Sequence, residues 1–198
     1  MCAGFLRIET LAKLDQPLIW TLHDSWAFTG GCHYAGDCSR YTARCGRCPK
    51  LRSRLPWDPT RALYRRKMRH YGPNLQPVAI SNWLAGCAKS STLFRGREVD
   101  VIPNGVDIER FSTAEPLAEF RDGSFNVLFV GRLEPRKGAK YLFAAMPRIV
   151  REVPSARLVV VGSGPLAGYY RSHLDAAVAE RVVFAGRVSN EMLARHYA

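Results

Sequence analysis

Four groups of residues have the types and spacing for chemistry. The first is residues 131–138, Gly-Arg-Leu-Glu-Pro-Arg-Lys-Gly, which follow an apolar run and open a helical pattern. A helix start offers unpaired N–H groups and a partial positive charge, so it suits phosphate. Arg132 and Lys137 add two full cations at the same mouth, and Gly131 and Gly138 leave the backbone open to a ligand. Two cations and a helix end match a diphosphate; the plainer alternative is a basic surface turn. The second group, Gly162-Ser163-Gly164-Pro165-Leu166-Ala167, has the G-x-G-x-x-A form of a dinucleotide fingerprint. The acidic partner expected about 20 positions further on is missing. Ala185-Gly186-Arg187 stands there instead, which favours a tight strand-to-helix turn over an NAD site.

The third group is Cys32, Cys38, Cys45 and Cys48. Four thiolates this close can close a tetrahedral zinc site, with Cys45-Gly46-Arg47-Cys48 as its knuckle. The wider spacing of the first pair keeps disulfides, an iron–sulfur cluster and buried thiols open, and His33 is an alternative ligand. The fourth is His23, at the end of an apolar run with Asp24, Ser25 and Trp26 behind it. Beyond the carboxyl end of a parallel strand, a His can donate a hydrogen bond or carry a proton; the alternative is a buried, satisfied imidazole.

The elements that position these groups alternate in type. Apolar runs at 17–22, 77–80, 99–102, 125–130, 158–161 and 182–185 predict strands. Between them, Leu63, Tyr64, Met68 and Tyr71 share one helical face closed by Gly72, and Trp83, Leu84 and Cys87 make a stripe capped by Ser81. Leu142, Ala145, Met146, Ile149, Val150 and Val153 predict an amphipathic helix, with a kink or break at Pro147. Leu166, Tyr170, Leu174 and Ala177 predict another, with Pro165 in its first turn, and Ser189 opens a last one. Such alternation means α/β architecture, with parallel sheets covered on both faces. The loose stretch near 103–124 divides the chain into residues 1–104 and 105–198, each reading as an incomplete, Rossmann-like, doubly wound unit.

The chain has 198 residues, 47% of them apolar and 23% charged, which excludes global disorder. Its net charge of +12 predicts anionic company. Residues 36–72 hold eleven Lys or Arg against two Asp, so most of that charge sits in one segment. No apolar run reaches the roughly 18 residues of a membrane span, and no leader pattern opens the chain, so a soluble cytoplasmic protein with thiols or metal ligands is expected.

Val101-Ile102-Pro103-Asn104-Gly105-Val106-Asp107, then Gly131-Arg132-Leu133 with Lys137-Gly138, then Gly162-x-Gly164-Pro165 and Gly186, resemble in order and spacing the GT-B retaining glycosyltransferases of family 4. His23-Asp24-Ser25-Trp26-Ala27-Phe28-Thr29-Gly30-Gly31-Cys32 with Cys45-Gly46-x-Cys48-Pro49 is similar to the bacterial exopolysaccharide, colanic acid type. The resemblance implies two Rossmann-like domains, the back half of an acceptor-side domain and the front half of a donor domain. It implies transfer of a sugar from a nucleotide-diphospho-sugar to a saccharide or lipid-linked acceptor. Arg132 and Lys137 would neutralise the diphosphate, with Gly131 and Gly138 around it; His23 would contact the donor sugar, and the backbone at Arg187 and Val188 the nucleobase. No catalytic metal would be required, so any zinc on the cysteines would be structural. The basic segment would face an anionic acceptor or the inner face of the membrane, with nucleic acid not a partner. The family's Gly-rich loop and its E-x7-E motif are absent from these residues, which implies a fragment, inactive in isolation. A zinc-binding basic nucleic-acid module is the alternative suggested by the cysteines and local charge, and a dehydrogenase ranks third.

Overall fold

Valine-, isoleucine- and leucine-rich runs suit strands of a parallel sheet, and every predicted run overlaps one, the run at 99–102 only as the two exposed residues Asp100 and Val101. In the computed structural model, which describes residues 7–198, β1 (Leu18–Leu22), β2 (Leu75–Ala79) and β3 (Asp100–Val101) form one parallel sheet in that order. β4 (Phe125–Val130), β5 (Ala156–Val161) and β6 (Val182–Gly186) form a second, also parallel and also in chain order. The chain separates into two units between Gly105 and Val106.

In the first unit, α1 (Ile8–Leu11), α2 (Pro59–His70) and α3 (Asn82–Ser90) accompany the sheet. Its core gathers Leu22, Phe28, Tyr64, Phe94, Ala79 and Ala88. Tyr71 stacks on Phe94 at 5.6 Å and meets Trp20 edge-on at 5.9 Å. Three expectations need correction. Met68 is half exposed, and Lys67, fully buried, takes the core face beside Tyr64. Trp83 is 72% exposed, because α3 turns Leu84, Ala85 and Ala88 inward instead. β1 is not covered on both faces: Ile19 is 74% exposed, with burial alternating along the strand.

Asp58 starts α2. Its carboxylate accepts hydrogen bonds from the N–H groups of Thr60 (3.0 Å), Arg61 (3.2 Å) and Cys48 (2.8 Å) and from the Thr60 hydroxyl (2.6 Å). Burial pushes its pKa up, but these donors outweigh burial and hold it at about 2. Asp58 thus stabilises the fold above the ordinary carboxylate range and loses that contribution as pH falls towards 2. Asp58→Ala is expected to cost about 1–2 kcal/mol in urea unfolding at pH 7, from loss of the cap and of the tie to the cysteine loop. The difference from the parent should shrink on acidification to pH 3.

The second unit holds α4 (Ile108–Ser112), α5 (Ala139–Glu152), α6 (Ala167–Ser172) and α7 (Asn190–Tyr197). α5 does not break at Pro147. Met146 and Ala139 are fully buried and Ile149 and Val150 pack on the same core, so packing on both sides of the proline holds the helix where one N–H is missing. α6 is shorter than predicted, and Leu174 and Ala177 lie beyond it. The Ser172 hydroxyl donates to the carbonyls of Gly168 (3.0 Å) and Tyr169 (3.1 Å), and Asp175 accepts from the N–H of Ala177 (2.8 Å), which favours a turn. Pro165 precedes the α6 N-cap, Leu166, rather than occupying the first turn.

Candidate functional site

Parallel strands deliver their following loops to one edge of a sheet, where ligands of open α/β sheets collect. In the second unit three loops reach that edge: 131–138 after β4, 162–166 after β5, and 187–189 after β6. Gly131, Arg132, Lys137, Gly138, Arg187 and Val188 therefore share one sheet edge. Residues 135–137 form a single 3-10 turn, and Gly138, at φ +72, passes the chain into α5. No side chain caps α5; the N–H of Tyr141 donates to the Gly138 carbonyl (2.9 Å), which leaves the N–H groups of Ala139 and Lys140 to face an anion.

The side chains sort by their partners. Glu134, largely buried, holds Arg136 at 2.5 Å and stands 3.6 Å from the Nε of Arg132. Arg132 keeps a 69% exposed side chain, and Lys137 and Arg187 are also exposed. The Glu134 contact is a feature that sequence reasoning missed, though the residue sits in the middle of the motif.

The second glycine pair supports this loop. The N–H of Gly131 donates to Val161 (2.9 Å), that of Leu133 to Ser163 (3.1 Å), and that of Leu166 to Leu133 (3.0 Å). A Cβ on Gly164 would stand 2.5 Å from the Leu133 carbonyl oxygen, and one on Gly162 would collide with the carbonyl of Gly131. Gly162 also sits at φ +128. Backbone on backbone thus fixes the start of the cationic loop.

In the first unit, His23 follows β1 and is exposed, not buried. It lines a cavity of about 380 Å³ together with Asp24, His33, Tyr34, Ser81 and Trp83. Asp24 accepts from the N–H of Trp26 (2.7 Å) through one oxygen and binds Nδ1 of His33 (2.8 Å) through the other.

The cysteines lie in the loop between β1 and α2 as free thiols, Cys45 and Cys48 buried, Cys32 and Cys38 half-buried. Among the described residues no group of three His, Cys, Asp or Glu side chains is arranged to hold a metal ion. Cys45 Sγ instead accepts from the N–H of Gly30 (3.1 Å), and burial pushes its thiol up to about 11.

Lys67 reads in sequence as one more charge on a basic helix. In the structure its Nζ donates to the carbonyls of Trp26 and of Thr29 (3.0 Å) and sits 3.5 Å from the centre of the Trp26 ring. It pins the turn that follows His23 and Asp24. Burial pulls its pKa down to about 7, while nearby Cys45, Asp24 and Cys32 act in the opposite sense. A lowered native pKa means that the cost of the buried charge is full below pH 7 and is relieved as pH rises towards the unfolded value near 10.4. Between pH 6.5 and 9.5 the parent is expected to gain up to about 3 kcal/mol relative to Lys67→Met, measured by urea unfolding. Equal pH profiles for the two proteins would show that the ammonium is not strained by burial.

Residues 124–198 match the family described as Glycosyl transferases group 1. The matched segment begins at β4 and includes the cationic loop, the 162–166 turn and Arg187. Curated relatives resemble part of the chain. A GDP-mannose-dependent alpha-(1-6)-phosphatidylinositol monomannoside mannosyltransferase of Mycobacterium tuberculosis is 39% identical over 108 residues, covering 50% of this chain and 28% of that protein. A phosphatidyl-myo-inositol mannosyltransferase of the same species is 41% identical over 70 residues, covering 35% and 18%. The chain thus spans less than a third of the length of these relatives. Among solved structures, Anabaena HepE in complex with UDP and glucose aligns with a TM-score of 0.48 at 18% identity, over 90% of this chain and 44% of that one.

Proposed function

We propose that the second unit binds the diphosphate of a nucleotide-diphospho-sugar, and that the chain is part of a GT-B glycosyltransferase that passes the sugar to a saccharide or lipid-linked acceptor. The observation that carries this reading is the cationic loop at an uncapped helix start, on the carboxyl edge of a parallel sheet, inside the segment that matches the glycosyl transferases. The relatives' names supply the donor class, since one of them depends on GDP-mannose.

The chemistry asks for charge in one place. As the bond between the sugar and the diphosphate breaks, the departing oxygen keeps the electron pair and negative charge builds there. Arg132, Lys137 and the first N–H groups of α5 stabilise that charge, an interaction that strengthens as the bond lengthens. These cations supply what a divalent ion would otherwise supply, so the proposal includes no catalytic metal. His23 contacts the donor sugar, and the backbone at Arg187 and Val188 lies against the nucleobase. Retention of configuration belongs to the same proposal. Calorimetric titration of GDP and UDP into the chain tests the reading, and absence of binding by either would overturn it.

The acceptor side of the proposal includes contact with an anionic membrane surface. In the first unit Trp57 is 59% exposed, with the guanidinium groups of Arg61 and Arg65 at 5.2 and 4.9 Å from its ring. Leu51, Leu55 and Met68 are exposed within the same basic segment. Aromatic and apolar side chains among arginines suit the headgroup layer of an anionic bilayer. No described helix is long and apolar enough to cross a membrane. The chain is expected to sediment with vesicles containing phosphatidylglycerol, but not with phosphatidylcholine vesicles. Trp57→Ala together with Arg65→Ala should lower the bound fraction several-fold; equal sedimentation with both lipids would remove membrane contact from the proposal.

A further inference from the structure

A site for an anion gains nothing from a carboxylate unless the carboxylate has a task. The three loops at the carboxyl edge of the second sheet carry four cations, Arg132, Arg136, Lys137 and Arg187, and one acid, Glu134. That acid stands in the chain between Arg132 and Lys137, and its charge opposes that of a phosphate. Its side chain is 16% exposed, so water and salt screen it less than they screen a surface carboxylate.

The loop does not let Glu134 move aside. Leu133, just before it, is fully buried, and its N–H donates to Ser163. The N–H of Glu134 itself donates to the Arg132 carbonyl (2.9 Å), and the N–H of Lys137 donates to the Glu134 carbonyl (3.1 Å). Backbone bonds thus hold the chain on both sides of the carboxylate.

Its two oxygens are used differently. Oε1 is gripped by Arg136 at 2.5 Å. Oε2 faces the Nε of Arg132 at 3.6 Å, beyond hydrogen-bond range. The tight contact fixes where the carboxylate points. The loose one leaves Arg132 inside its field but able to turn to a stronger anion, since an ion pair of an exposed side chain is weak. A diphosphate carries more charge than one carboxylate and can draw Arg132 away. When it leaves, the carboxylate is still in place to take the cation back.

We propose that Glu134 is a built-in competitor for Arg132, which lowers affinity for the nucleoside diphosphate and speeds its release after sugar transfer. The inference rests on the nucleotide-sugar reading and concerns how the product of that reaction departs, a step that often limits turnover. Two cations and a helix start without such a counterweight would retain the product.

The test measures GDP binding to the 198-residue chain by calorimetry and release of a fluorescent GDP analogue by stopped flow. Glu134→Gln should bind GDP about three- to ten-fold more tightly, with most of the gain in a slower release rate. In the Arg132→Ala background the same substitution should gain no more than about two-fold, because the cation competed for is gone. Glu134→Asp, which keeps the charge but withdraws it by one methylene, should tighten binding by about two-fold, and it decides the sign if Glu134→Gln does not fold. A carboxylate that only braces the loop predicts the opposite sign, weaker binding in both variants. Unchanged or weaker binding in a folded variant therefore overturns the inference. Equal gains with and without Arg132 also overturn it, because they would show plain repulsion of the ligand and no competition. Failure of the parent chain to bind GDP or UDP would overturn the nucleotide-sugar reading and this inference with it, whereas binding by the parent with no gain in the variants overturns this inference alone.

Discussion

Arg132→Ala and Lys137→Ala are each expected to weaken GDP or UDP binding by about ten-fold or somewhat more, while Arg136→Ala changes it less than about three-fold. A charge-assisted hydrogen bond contributes roughly 1.5–3 kcal/mol, and each 1.4 kcal/mol is a factor of ten. The 69% exposure of the Arg132 side chain places its loss toward the lower end, because water screens it before the ligand arrives. Arg136 is the internal control. It occupies the same loop, but its guanidinium is held by Glu134 at 2.5 Å. Glu134 lies 3.6 Å from Arg132, a looser contact that a diphosphate can outcompete. Calorimetric titration of the three variants decides. Equal losses for all three would reduce the loop to a diffuse basic patch, and no loss in any would remove the diphosphate site.

Gly162→Ala should be more damaging to the fold than any surface substitution in the second unit. Its φ of +128 strains any L side chain, and its new methyl would meet the Gly131 backbone, which has no flexible end to move aside. The expected cost is above about 3 kcal/mol in urea unfolding, with nucleotide binding lost as the cationic loop lifts from the β5 turn. Gly168→Ala is the contrast. That glycine lies in α6 with open space around its Cβ direction, so alanine should be neutral or stabilise by about 0.5–1 kcal/mol. Unchanged unfolding of Gly162→Ala would show that the two loops are not locked together.

Much of the second unit was legible because its signals are local. Apolar runs announced β4, β5 and β6, the helical period announced α5, and the Gly-Arg…Lys-Gly loop fell between a strand and a helix. Parallel pairing then carries every following loop to the same edge, so Arg132, Lys137, Arg187 and Val188 had to gather there once the sheet was known. What periodicity lacks is the identity of a side chain's partner. The face of α2 runs through Tyr64, Lys67 and Tyr71, but a lysine on it reads as solvated until carbonyls from Trp26 and Thr29 meet it across about forty residues of chain. The pattern in α3 offered Trp83 as core, and only packing showed that Leu84, Ala85 and Ala88 fill the space. Asp24 and His33 are nine residues apart in an irregular loop, a separation without a period, so nothing before folding could pair them. Gly162 and Gly164 showed a turn in sequence; that the turn exists to receive another loop's backbone was decided by tertiary contact alone, because steric exclusion is a property of two segments and is written in neither.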